Sequence, residues 1–220
     1  REYFHIGGDE TFSLGTSQKC REVVKEIGLG GLYLQHILPI LEHIHQRGLK
    51  PIIWSDMISS YPEIISKIPK YAIMMDWDYG IKAERSPELH IHGGGPLDPI
   101  TGHRATIWGK TWQEYQKYEN PAFQSHLERF AVDEQTYQDG TFKQFYAADA
   151  LLSAGLEVLT ASASRSCGDM MGIPHHQDHL ANCFVSARKG LKEGKGNLVT
   201  SWAVRHNHPE LGHPATFAAV

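Results

Sequence analysis

The stretch "EYFHIGGDETF" (residues 2–12) reads as a short strand that ends in two glycines and two carboxylates. Its first half is apolar and extended, and Gly7 and Gly8 follow directly. Successive side chains of a strand point to opposite faces, so a regular strand would aim only one of Asp9 and Glu10 at a given pocket. Because glycine adopts backbone conformations closed to other residues, the glycine pair predicts a bend that turns both carboxylates toward one pocket.

Beyond this stretch, apolar segments with strand and helix spacing alternate along the chain. The spacing predicts a helix over 32–48, in which Pro39 is expected either to kink the helix or to mark its start. The other predicted elements are strands at 50–57, 71–79, 156–164 and 196–204, and helices at 61–69, 142–155 and 179–194. Residues 80–140 break this rhythm and are predicted to be an insertion of loops and short helices.

Strands that alternate with helices indicate a parallel sheet with helical crossovers. A (β/α)8 TIM barrel has eight strands in about 250 residues, and five strands are predicted here. The predicted fold is therefore α/β, with residues 1–220 forming the last five β/α units of a catalytic (β/α)8 domain. The chain starts abruptly on a strand, so we expect it to be the C-terminal part of a longer protein. The alternative is an open doubly wound sheet, although no G-x-G-x-x-G or phosphate-loop pattern follows any strand.

The composition favours small neutral partners. The formal net charge is −4 and the 21 Lys and Arg are dispersed, which does not indicate a surface for nucleic acid or an anionic membrane. No apolar run approaches the roughly 20 residues of a membrane span. The three cysteines, Cys20, Cys167 and Cys183, are an odd number without C-x-x-C spacing. This favours a reducing compartment, and we expect a cytoplasmic location.

In a barrel the catalytic groups lie at the carboxyl ends of the strands. Three of the five predicted strand ends carry a tryptophan and three carry acids. Flat aromatic walls with a few acidic anchors suit a sugar ring. Two carboxylates in different environments can also divide the work of acid and base. The alternatives are that Asp9 and Glu10 form a solvated loop or helix cap, and that the tryptophans are core residues.

At these residues the sequence resembles a known family. "HIGGDE" (5–10) matches the His-x-Gly-Gly-Asp-Glu motif of family 20 glycoside hydrolases, the β-N-acetylhexosaminidases. "PIIWSDM" (51–57) resembles the strand that follows it in the family, with its pocket tryptophan. The resemblance extends from residue 1 to about 210. "WDY" (77–79), together with the lack of a Tyr-x-Asp on the fourth strand, is more similar to the hexosaminidase D type than to the other types.

The resemblance implies exo-acting, substrate-assisted, retaining hydrolysis of terminal β-linked GlcNAc or GalNAc, without cofactor or metal. Glu10 would protonate the glycosidic oxygen and later activate water. Asp9 would orient the 2-acetamido group, whose oxygen attacks the anomeric carbon to give an oxazolinium ion. The partner would be an amino-sugar glycan or glycoconjugate. The substrate-binding residues implied are His5, Trp54, Trp77, Asp78, Tyr79, Trp202 and Arg205, among which Tyr79 would bond the acetamido oxygen.

The sequence departs from the family pattern in two respects that bear on the predicted sugar contacts. The family has Trp-x-Glu on its last strand, whereas Trp202 precedes Ala203 and Val204, so that role is vacant or passes to Arg205 or Glu210. The family's sugar-gripping arginine lies on its first strands, which are expected outside this chain. One alternative function is a sugar-binding protein that keeps the aromatic pocket without turnover. Another is a metal-dependent hydrolase that uses the histidines of "HHQDH" (175–179).

Overall fold

The structure is a computed structural model. It describes residues 2–93, 95, 98, 103–104, 106–117, 121–166, 175–202 and 214–215. The predicted contact Arg205, its alternative Glu210 and Cys167 lie outside the described residues.

The described chain contains nine strands and seven α-helices, with one 3₁₀ helix at Pro62–Lys67. In chain order they are β1 Tyr3–His5, α1 Gln18–Gln46, β2 Lys50–Trp54, α2 Asp56–Ser59, β3 Ile73–Trp77, β4 Arg85–Ser86, β5 Leu89–Ile91, β6 Ile107–Lys110, α3 Trp112–Tyr115, α4 Pro121–Phe130, α5 Glu134–Asp139, β7 Phe142–Lys143, α6 Tyr146–Ser153, β8 Glu157–Arg165, α7 His176–Glu193 and β9 Asn197–Ser201. Among these helices none combines the length and the apolar character needed to cross a membrane.

Five of the strands form one parallel sheet in the order β1-β2-β3-β8-β9. From one edge to the other, the register pairs His5 with Ile52, Trp54 with Met75, Trp77 with Ala161, and Ala161 with Leu198. The strands follow one another in chain order, without the reversal that defines a doubly wound sheet. The predicted α/β class with five parallel strands is confirmed, and the sheet is half of a (β/α)8 barrel.

The first helix differs from its prediction. α1 begins at Gln18, where the Ser17 side chain accepts the Cys20 N–H, and it runs to Gln46 with Pro39 inside it. The break in this element lies at Gly28, which has φ 72° and ψ 171°. The helical stretch after this break corresponds to the predicted helix at 32–48, the stretch before it was not predicted, and the expected kink or start at Pro39 is wrong. Glycine reaches this positive φ without steric cost, whereas Pro39 lies on the exposed side of the helix.

The two faces of the sheet carry different apolar clusters. The outer face packs Ile53, Met74 and Val158 against α1 and α6, where Leu41 and Leu151 are fully buried. Side chains of the opposite parity form the inner cluster, which lies on the concave side of the half-barrel. Its buried members are Ile52, Trp54, Ile73, Met75 and Ala161, with Trp77 and Leu159 packed against them.

The segment between β3 and β8 forms a separate apolar cluster around Leu89, Phe123 and Phe142. It contains two short antiparallel pairs, β4 with β7 and β5 with β6, which the sequence pattern did not predict. The Arg85 guanidinium donates to both Asp133 carboxylate oxygens at 2.8 Å and so ties β4 to the start of α5. That residues 80–140 are an insertion into the barrel stays a prediction.

Packing of α1 on the sheet sets a first test of this fold. Leu41 is completely buried, whereas Leu191 on α7 is 75% exposed. Leu41→Ala removes buried apolar contacts and leaves a cavity, and we expect it to lower the free energy of unfolding by about 2–5 kcal/mol. Leu191→Ala is the matched control and should change it by less than about 0.5 kcal/mol. Urea denaturation of both variants measures the difference, and equal losses would contradict the placement of α1.

Candidate active site

The loop after β1 leaves the sheet through two glycines in left-handed conformation. The ladder between β1 and β2 continues past His5, since Ile6 N–H donates to the Ile52 carbonyl at 2.9 Å and Trp54 N–H to the Gly7 carbonyl at 3.1 Å. Gly7 then has φ 73° and Gly8 φ 92°. The bend predicted from the glycine pair is present at the carboxyl end of the strand.

Gly8 packs too closely on its neighbours for any other residue. Its carbonyl accepts the Tyr33 hydroxyl of α1 at 2.7 Å. A Cβ placed on Gly8 would lie 2.9 Å from that hydroxyl oxygen and 3.0 Å from Cγ1 of Ile53. The turn is thus pressed against the core of α1 and β2, and its position follows from their packing.

Asp9 and Glu10 follow the bend with different exposure. Asp9 is half-buried and Glu10 is exposed. Glu10 itself has φ 45°, and its N–H donates to Oδ2 of Asp56 at 2.9 Å. Desolvation, with smaller contributions from the charges of both Asp9 and Glu10, raises the pKa of Tyr79 to about 12. The two carboxylates therefore act on the same side chain at the end of β3.

Aromatic rings from four strand ends line the same edge. The His5 ring meets the Trp54 ring edge-on at 4.9 Å, and Trp54 lies 6.1 Å from Trp202. On the next strand, Trp77 lies 5.2 Å from Tyr79. The Trp202 indole N–H donates to the Tyr79 hydroxyl oxygen. This hydrogen bond connects the aromatic rings at the ends of β3 and β9, on either side of β8. Trp54 is buried, whereas Trp202 is 49% exposed and forms the rim.

The Tyr79 hydroxyl is set up to donate a hydrogen bond. An indole N–H can only donate, so the Tyr79 oxygen is the acceptor of the Trp202 bond. Its raised pKa, near 12 and due mainly to desolvation, keeps the hydroxyl protonated at neutral pH. The Thr200 hydroxyl lies 3.2 Å away on β9 and helps to hold the ring in place. A bound acceptor oxygen beside the aromatic wall would meet a fixed O–H.

The family described as "Glycosyl hydrolase family 20, catalytic domain" matches residues 1–93, which include β1 to β3 and the bend. Residues 1–93 are therefore similar to part of a family 20 catalytic domain.

Two known proteins are similar to this chain. Hexosaminidase D from Bos taurus is 29% identical over 98 residues, which covers 41% of this chain and 27% of the relative. The crystal structure of Dispersin B aligns over the whole chain and 52% of that chain, at 12% identity and a TM-score of 0.41. The chain thus spans about a quarter of the one relative and about half of the other.

Most of the predicted site residues gather at one edge of the parallel sheet, at the carboxyl ends of its strands. These residues are His5, Asp9, Glu10, Trp54, Trp77, Tyr79 and Trp202. Asp78 has other partners: its Oδ1 accepts the Gly80 N–H at 2.8 Å and lies 3.2 Å from Nδ1 of His90. The predicted sugar contact of Asp78 stays a prediction, as does that of Arg205, which lies outside the described residues.

The structure adds polar residues that the sequence reasoning did not assign to the site. Asp56 and Asp76 are buried beneath the aromatic wall, and Ser55 Oγ donates to Oδ1 of Asp76 at 2.7 Å. The His92 ring meets Trp77 edge-on at 4.9 Å. Asp56 and Asp76 stand at strand ends, which is a usable sequence signal, whereas His92 stands in a stretch predicted to be loop. Within the described ranges, no three His, Cys, Asp or Glu side chains are grouped to hold a metal.

Replacing Gly8 tests whether the bend depends on close packing. Gly8→Ala combines a strained positive φ with a clash against Tyr33 and Ile53, and we expect a loss of about 2–4 kcal/mol in unfolding free energy. Gly48→Ala is the matched control, because Gly48 has φ +75° and a Cβ added there would meet nothing within 4 Å. It should lose only about 1–2 kcal/mol from backbone strain. If thermal or urea unfolding gives the same loss for both, the close contact at Gly8 is refuted.

The pair of Asp78 and His90 makes a prediction about pH. The hydrogen bond to the Asp78 carboxylate raises the pKa of His90 above its ordinary value of 6.5, against the opposing effect of burial. A raised folded-state pKa means that the pair stabilises the fold fully below pH 6.5, and that this stability is lost as pH rises through the folded pKa. Asp78→Asn should lower the His90 pKa in an NMR titration. Asp149→Asn, on α6, should leave it unchanged, and an unchanged value in Asp78→Asn would show that the pair does not form.

Proposed function

We propose that this chain carries the catalytic edge of an exo-acting β-N-acetylhexosaminidase. The enzyme would remove terminal β-linked GlcNAc or GalNAc from a glycan or glycoconjugate with retention of configuration. The observation that carries the proposal is the bend at Gly7 and Gly8, which places Asp9 and Glu10 at the strand end beside the wall of Trp54 and Trp202. The family 20 match over residues 1–93 supports the same function.

The spacing of the two carboxylates favours substrate-assisted chemistry. Retaining glycosidases with an enzyme nucleophile hold two carboxyl groups about 5–5.5 Å apart so that they flank the sugar. Asp9 and Glu10 are neighbours on one bend at one strand end, and they reach the sugar from the same side. The nucleophile would then be the acetamido oxygen of the substrate itself, which attacks the anomeric carbon and forms an oxazolinium ion.

The surroundings of each carboxylate suit its proposed role. Glu10 is exposed at the mouth of the site, where it can protonate the leaving-group oxygen and later take a proton from water. Asp9 is half-buried close to His5 and Tyr79, where its charge can orient the acetamido N–H and stabilise the cation that forms. Tyr79 would donate its O–H to the acetamido oxygen and align it for attack. No step of this sequence uses a cofactor.

Hydrolysis of aryl β-glycosides tests the proposal. The assay follows nitrophenol release by the 220-residue chain and by the full-length protein that carries it. We expect the full-length protein to cleave the β-GlcNAc substrate at least about 100-fold faster than the β-glucoside, because only the former carries the acetamido nucleophile. Asp9→Ala should lower kcat/KM on β-GlcNAc by about 100-fold or more. Activity should not change when a chelator is added.

Three results would point elsewhere. Equal rates on β-GlcNAc and β-glucoside would exclude assistance by the acetamido group. Binding of GlcNAc in calorimetry, without turnover by either form of the protein, would favour the sugar-binding alternative. Loss of activity on chelation, with recovery when a divalent metal is added back, would favour a metal-dependent hydrolase.

A further inference from the structure

A buried carboxylate holds the backbone of the proposed acid. Asp56 is the first residue of α2 and is 5% exposed. Its Oδ2 accepts the Glu10 N–H at 2.9 Å, a contact between residues 46 positions apart. This hydrogen bond is the third of three that connect the loop after β1 to the β2–α2 segment, after those of Ile6 and Gly7. The other two join backbone to backbone, and only this one of the three depends on the identity of a side chain.

The two ends of this hydrogen bond differ in rigidity. Asp56 lies in a fully buried turn, where Ser59 N–H donates to the Ser55 carbonyl at 2.7 Å and Ser60 N–H to the Asp56 carbonyl at 2.9 Å. Glu10 is exposed and lies in a left-handed conformation, φ 45°, that is unfavourable for a residue with a Cβ. Such a conformation persists only where the surroundings hold it. The anchored carboxylate is the group placed to do so.

The burial of Asp56 is not explained by packing alone. Its second oxygen, Oδ1, is buried and has no hydrogen-bond partner among the described residues. Burial raises the pKa of Asp56, and the charge of Asp9 raises it further, whereas the hydrogen bond from Glu10 N–H, the charge of His92 and a side-chain interaction with Trp77 lower it. A buried carboxyl group lowers stability unless its contacts compensate. Among the compensating contacts the Glu10 N–H lowers the pKa most, and it is the one that reaches the loop after β1.

We propose that Asp56 is a positioning residue, whose carboxylate fixes the left-handed backbone at Glu10 and thereby directs the Glu10 carboxyl group to the leaving-group oxygen. The inference rests on the proposed glycosidase function and adds a residue to its machinery. Asp56 does not touch the sugar in this scheme. It acts through Glu10, so its loss should impair proton donation rather than substrate binding.

Leaving-group dependence separates positioning from a general structural role. A dinitrophenyl group departs without protonation, whereas a methylumbelliferyl group gains from a proton donor. If Asp56 positions Glu10, Asp56→Leu should lower kcat/KM, which reports cleavage of the glycosidic bond, about 10- to 100-fold on methylumbelliferyl β-GlcNAc and less than about 3-fold on the dinitrophenyl substrate. A variant that merely folds less well would lose the same factor on every substrate.

Asp56→Asn keeps an acceptor oxygen for the Glu10 N–H and should retain kcat/KM on methylumbelliferyl β-GlcNAc within about 5-fold of wild type. Asp149→Asn is the control for a carboxylate away from the site, and it should leave the ratio between the two substrates unchanged. If Asp56→Leu does not fold, Asp56→Ala removes the same acceptor without added bulk and gives the same readout.

The outcomes are distinguishable. Equal losses on both substrates, or an Asn variant as impaired as the Leu variant, would overturn the role of Asp56 while leaving the glycosidase function intact. Absence of wild-type turnover on both substrates would overturn the proposed function and this inference with it.

Discussion

The contact between the Gly8 backbone and its two neighbours is the constraint on which the site depends. The Tyr33 hydroxyl and the Ile53 side chain leave no room for a Cβ at this position. Both neighbours belong to the outer core, where α1 packs on β2. The bend that presents Asp9 and Glu10 is therefore placed by the hydrophobic core and not by the loop itself. A site built on packed elements is held more precisely than one built on a free loop.

The aromatic wall is closed by a second contact, a hydrogen bond that bridges β8. Tyr79 follows β3 and Trp202 follows β9, and β8 lies between these strands. The Trp202 indole N–H donates to the Tyr79 hydroxyl, and Thr200 of β9, which pairs with the buried Ala163 of β8, lies 3.2 Å from the same hydroxyl. Trp202 is also fixed from its backbone, since its N–H donates to the Arg165 carbonyl at 3.1 Å.

Beneath this wall the protein keeps buried carboxyl groups at the ends of β2 and β3. Desolvation raises the pKa of Asp76 to about 6, although the Ser55 hydroxyl donates to it and lowers the pKa. Asp56 is buried beside it and its pKa is raised for the same reason. A raised pKa means that the charged form is disfavoured in the fold, so these groups oppose folding at neutral pH. Both groups lie at strand ends close to the bend that carries Asp9 and Glu10. Buried groups with shifted pKa values are common at functional sites, so we expect their loss of folding stability to serve function.

The sequence by itself determined the sheet, because apolar strand patterns alternate with helices and such alternation requires parallel crossovers. It also determined which strand ends carry acids and tryptophans, and the bend at Gly7 and Gly8, since local backbone freedom is a property of the residues. The start of α1 at Gln18 and its break at Gly28 were not predicted, although Ser17 and Gly28 are themselves local signals for a cap and a break. Only the tertiary structure joined Glu10 to Asp56 and Tyr79 to Trp202. Those contacts bridge 46 and 123 positions of chain, and their partners are chosen by strand order and packing rather than by neighbouring residues.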